Sequence, residues 1–140
     1  MAPSLYIVVE GEDPGYDIFV NGRALARNEE PLERLAEGLD VSPLRTFFYA
    51  NEPSMALVLE DGREDGRIEA DLTPVQQQSQ WFDPTDGLLT VRTLLRFLDI
   101  VPAALGRETP DVFLELRDYE RVLRRTVAQG LRWHMEESLF

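Results

Sequence analysis

Few side chains in this chain can do chemistry, and what is missing narrows the choice. There is no cysteine, the single histidine is His134, and all fourteen basic side chains are arginines. Without cysteine there is neither a thiolate nucleophile nor a cysteine-bound zinc. Without lysine there is no amine for a Schiff base and no phosphate-loop lysine. A histidine pair cannot be assembled within one chain. Carboxylates, hydroxyls, tyrosines, guanidiniums and one imidazole remain. The serines at 4, 42, 54, 79 and 138 form no Gly-x-Ser-x-Gly elbow, and the glycines form no Gly-x-Gly-x-x-Gly fingerprint.

His134 lies in the run Arg132-Trp133-His134-Met135-Glu136-Glu137. Alternation in a strand puts it on one side with Arg132 and Glu136, facing solvent or a cleft under the helices. It reads either as a general base oriented by Glu136 or as a surface histidine beside its neighbours, with no nucleophile in sight. Arg117, Arg121, Arg124 and Arg125 fall along the polar face of a helix and, with Arg132, make the only basic patch. Guanidiniums suit a carboxylate or phosphate, but the interspersed Glu115, Asp118 and Glu120 offer pairing within the chain. Arg92 and Arg96 carry the same two readings.

Trp81 and Phe82 precede a helix start. Large apolar residues there anchor the entry of a helix; as a surface pair they would suit a partner contact. Tyr16 and Tyr49, beside turns, are weaker aromatic candidates. The stretch Asp61–Leu72 partly fits a calcium loop, but Arg63 and Leu72 stand where ligand oxygens belong. The residues therefore predict no metal and no cofactor.

The elements that must position these groups can be traced along the chain. Leu5–Glu10 predicts a strand, apolar on both faces and so central in its sheet. Asp17–Val20 predicts a second strand ending at a tight Asn21-Gly22 turn. Asn28 is placed to cap a helix running to about Gly38, with Glu29 and Glu30 in its first turn. Ser42-Pro43 opens a short helix through Phe47 and Phe48. Residues 51–80 read ambiguously. Asp83-Pro84-Thr85-Asp86 is a cap followed by proline, and Leu88, Val91, Leu94, Leu95 and Leu98 follow at helical spacing. Thr109-Pro110 repeats the device ahead of a long helix with Val112, Phe113, Leu116, Tyr119, Leu123 and Val127 on its apolar face, and Gly130 terminates it. Leu131–Glu136 alternates as a half-buried strand. The expected fold class is α+β: one domain over residues 1–140, about four helices against a small, mainly antiparallel sheet of N-terminal strands plus the C-terminal strand.

A chain of 140 residues, 44% apolar and 29% charged, has the composition of a globule that needs no disulfide or metal staple. The lack of cysteine, the absence of a basic stretch ahead of the short apolar run at Leu5–Val9, and the lack of any membrane-length apolar stretch point to a cytoplasmic location. Arginine without lysine fits a GC-rich genome. The net charge of −12 argues against binding nucleic acid and favours either plain solubility or a basic partner drawn in by the field.

The segment Trp81-Phe82-Asp83-Pro84-x-Asp86-Gly87-Leu88-x-Thr90-Val91, with the opening Leu5–Glu10 and the closing Arg132-Trp133-His134, resembles small uncharacterised bacterial proteins of about this length, a resemblance that implies no activity. In size and charge alone the chain is also similar to small acidic α+β immunity proteins that neutralise toxins. The expectation is a non-enzymatic, cytoplasmic acidic protein that binds a basic or mixed-charge protein partner, in the manner of an immunity protein. The alternative is an enzyme or small anionic-ligand binder using the Arg117, Arg121, Arg132 and His134 face. Neither a nucleic-acid nor a membrane partner is expected, and the residues do not define an oligomeric state.

Overall fold

The computed structural model describes residues 3–11, 14–48 and 80–138. Its sheet has two antiparallel strands taken from the two ends of the chain, β1 (Ser4–Val9) and β2 (Trp133–Ser138), in the register Ser4 opposite Ser138 through Val9 opposite Trp133. Among the described residues four α-helices complete an α+β arrangement: α1 (Arg23–Arg27), α2 (Glu29–Gly38), α3 (Pro84–Ile100) and α4 (Thr109–Gln129). Single 3-10 turns lie at Leu44–Phe47 and Gly106–Glu108.

The core follows from the side-chain periods. Alternation along β1 buries Leu5, Ile7 and Val9. On α3 the buried residues include Leu88, Val91, Leu94, Leu95 and Leu98, and on α4 they include Val112, Leu116, Tyr119, Val122 and Leu123. These two helices pack along each other, and Trp133 and Met135 of β2 join the same cluster. Fully burying side chains of this size stabilises the fold by roughly 1.5–3 kcal/mol each. Trp133 fits because residue 87 is glycine: a Cβ there would overlap the indole.

The helix ends show how the local signals are used. Asp83 caps α3, its carboxylate accepting the Thr85 N–H at 2.9 Å, with Pro84 in the first turn. Gly130 ends α4 in the left-handed conformation, at φ 68°. Other signals resolve differently. Asn28 does not cap α2 with its side chain. It is the joint between α1 and α2, and its amide donates back to the Ala24 carbonyl at 2.8 Å. Ser42 is likewise no cap, since the 3-10 turn begins after Pro43. Thr109 is already helical, and its hydroxyl accepts the Leu105 N–H at 3.0 Å. Val127, expected on the buried face of α4, is 38% exposed.

The expected second N-terminal strand does not form. Within residues 17–20, Asp17 and Phe19 have backbone groups engaged elsewhere. The Asp17 carboxylate accepts the Phe19 N–H at 2.9 Å, while the Arg121 guanidinium donates to the Asp17 and Phe19 carbonyls at 3.0 and 3.2 Å. The Asp17 carbonyl and both backbone groups of Phe19 are thereby engaged outside any ladder. Gly22 makes no hairpin turn either. It precedes α1 and gives its carbonyl to the Leu5 N–H at 3.1 Å. A Cβ at Gly22 would collide with the Leu5 backbone. Among the described residues β1 therefore pairs with β2 alone, so it is an edge strand rather than the central one its two apolar faces suggest. The ambiguous stretch, the Asp61 loop and Tyr49 lie outside the described residues.

Candidate functional site

The site begins with the backbone of β1. In an antiparallel pair, successive residues turn their N–H and C=O alternately toward the partner strand and away from it. Leu5 turns away: its N–H reaches the Gly22 carbonyl, and its C=O accepts the Tyr119 hydroxyl at 2.8 Å. Glu10 turns inward, with its N–H on the Arg132 carbonyl at 2.9 Å. Ile7 and Val9 share the phase of Leu5, so their N–H and C=O groups also point away from β2. Among the described residues nothing hydrogen-bonds to them.

That open edge borders a cleft of about 930 Å³ between β1 and residues 14–21, with Tyr6, Val8, Ile18 and Phe19 among its walls. The volume lies near the upper end of the roughly 300–1,000 Å³ typical of ligand sites. Phe19 stands 74% exposed at this cleft, the most exposed large apolar side chain among the described residues. The Ser138 hydroxyl, also in the lining, is buried without a hydrogen-bond partner. In sequence, the stretch 10–17 carries Glu10, Glu12, Asp13 and Asp17 and no base.

The wall opposite β1 is held by Arg121 through the two carbonyl contacts already described. Arg132 is committed too: its guanidinium grips the Glu10 carboxylate with two nitrogens and holds that carboxyl below its ordinary range. Arg117 is exposed on α4. The candidate arginines thus serve different neighbourhoods and do not converge on one anion pocket.

His134 was expected on the surface or in a cleft, but it is only 2% exposed. Trp81 stacks on its ring at 4.2 Å between centroids. Nδ1 lies 3.0 Å from the Gln80 carbonyl and Nε2 lies 2.8 Å from Glu136 Oε2. The carbonyl can only accept, so Nδ1 donates to it. Tyr6 donates to the other Glu136 oxygen at 3.0 Å. The alternation placed Glu136 correctly beside His134. The cover by Trp81 came from outside the strand. With both nitrogens bonded and the ring shielded, this network fastens residues 80–82 to β2 rather than offering a base to substrate. Phe82 continues the fastening through paired backbone bonds to Trp133 at 2.8 and 3.0 Å and an edge-on contact with Phe47.

Glu115 is a further polar group in the interior. Its carboxylate accepts the Ala24 and Leu25 N–H groups at 3.0 and 2.9 Å, capping α1 from α4. Burial pushes this carboxyl up, against the pull of those two donors and of Arg27.

Among the described residues no group of three or more metal-ligating side chains assembles, and no helix is long and apolar enough to cross a membrane. The chain matches no family model, no curated protein and no solved structure.

Proposed function

We propose that this chain is a non-enzymatic binding protein whose partner is a protein with a basic or mixed-charge surface, docked at the cleft beside β1. The observation that carries the reading is the cleft itself: among the described residues, an open strand edge faced by an exposed phenylalanine. Apolar contact area with charge around it is how specific protein interfaces are built. A net charge of −12 adds long-range attraction for a basic surface and repels polyanions such as nucleic acid. The rival reading, an enzyme or anion binder on the Arg117, Arg121, Arg132 and His134 face, has less support, because three of those four side chains are bonded inside the chain.

The test is affinity capture from native lysate with the full chain and with a Phe19→Ala variant, followed by association kinetics on the captured protein across ionic strengths. The expected partner is basic, is lost or weakened with Phe19→Ala, and associates more slowly as salt shortens the Debye length below about 8 Å. A partner with an acidic contact surface, or one whose on-rate ignores salt, would overturn the reading.

A further inference from the structure

We infer that the partner enters as an added β-strand: a short extended segment with basic side chains that pairs with the open edge of β1 at Ile7 and Val9. The inference rests on the partner reading above and states how that site would recognise its occupant.

Among the described residues the edge is open over a defined length. At one end Leu5 is closed off by Gly22 and Tyr119. At the other, Gly11 takes a left-handed φ of 99° and turns the chain away after Glu10. Between these stops lie Ile7 and Val9, each with an outward N–H and C=O. Unpaired strand edges are templates for another strand, and proteins usually blunt them with charge, proline or a covering segment. Here no backbone bond joins the neighbouring segment to Ile7 or Val9, and that segment is held instead by Arg121, which takes the Asp17 and Phe19 carbonyls. The result is a cleft of about 930 Å³ alongside the open donors and acceptors, with Phe19 positioned to pack on an incoming side chain. Strand addition uses this combination: backbone bonds supply affinity, and pockets for alternate side chains supply choice.

Charge selects among occupants. A second copy of the chain would bring −12 against −12, and like fields of that size oppose association. A basic segment is attracted by the same field.

A random-heptapeptide display library selected against the full-length chain provides the probe. The enriched peptide is then synthesised unmodified and with alternate amides N-methylated. Amide hydrogen exchange is followed residue by residue. Enriched sequences should be basic with alternating apolar positions, and the unmodified peptide should slow exchange at Ile7 and Val9 by about tenfold or more. The N-methylated peptide should not bind, and Phe19→Ala should weaken binding roughly tenfold. Basic peptides that bind while Ile7 and Val9 stay unprotected would overturn strand addition and leave the partner reading standing. A library that yields acidic sequences or none would overturn both. Protection at Ile7 and Val9 already present in the free chain would show that the chain covers this edge itself, and would also overturn strand addition.

Discussion

The Arg121 guanidinium donates to the Asp17 carbonyl across the gap between α4 and the segment after β1, at 3.0 Å. Its second nitrogen takes the Phe19 carbonyl. A planar fork can hold two carbonyls at once in a way an ammonium cannot. This contact ties residues 17–19 to α4, and among the described residues β1 pairs on one edge only.

Arg121→Ala should release that segment. The expected cost is modest, about 1 kcal/mol, because the contacts are exposed. The more telling readout is local: amide exchange across residues 17–21 should speed up and the affinity of any cleft ligand should fall. Arg121→Lys should recover only part of either effect. Unchanged exchange in both variants would show that the segment is held by something else.

Glu115→Gln should destabilise the fold by roughly 1–3 kcal/mol, since an amide turns an N–H₂ toward one of the two N–H groups the carboxylate now satisfies. The pH dependence has a definite sign. Burial raises the Glu115 carboxyl above its ordinary value of 4.5, so the folded chain holds this proton to higher pH than the unfolded chain does. Its contribution to stability is complete below that value and declines as pH rises through the raised one. In denaturant titrations, the advantage of the parent over Glu115→Gln should therefore narrow as pH climbs out of the 4.5 region. A widening gap would contradict the assignment.

Tyr119 gives the alkaline counterpart. Burial, helped by the Glu115 charge, pushes its phenol well above the ordinary value of 10.0, and its hydroxyl donates to the Leu5 carbonyl. The folded chain keeps this proton when the unfolded chain would lose it, so stability should drop as pH passes about 10. Absorbance of phenolate should then show at least one of the four tyrosines titrating only as the chain unfolds. Tyr119→Phe should flatten that alkaline loss at a neutral-pH cost of about 1–3 kcal/mol, because it leaves the Leu5 carbonyl unsatisfied.

Two glycines should respond oppositely to alanine. Gly87→Ala drives a Cβ into the Trp133 ring, and the overlap should cost about 1–3 kcal/mol or more despite the better helix propensity. Gly38→Ala at the end of α2 meets nothing within 4 Å and should gain roughly 0.4–1 kcal/mol. Thermal or chemical unfolding of the two variants checks both signs.

Much of the architecture was legible because it depends on short-range signals. The Asp83-Pro84 start, the α3 and α4 stripes and the Gly130 stop each rest on residues within a turn of one another. The pairing of the two chain ends was legible from the apolar Leu5–Val9 run and the alternation near Trp133. What escaped depends on partners far along the chain. The helix α1 has no cap of its own and takes one from Glu115, so its five residues carry no start signal. Asp17–Val20 has the pattern of a strand, yet it is held by Arg121 from far along the chain and by its own Asp17 carboxylate. The alternation put Glu136 beside His134 correctly, but the burial of that ring depends on Trp81. The cleft beside β1 had no sequence signature.

Hydrogen exchange of the full chain, free and bound to the partner recovered from lysate, tests the central claim most directly, because it reports which surface is covered. The account predicts that protection on binding concentrates in residues 4–21, the strand edge and the cleft wall. Protection confined to the exposed face of α4 around Arg117 and Arg121, with residues 4–11 unchanged, would contradict it and favour the arginine face instead.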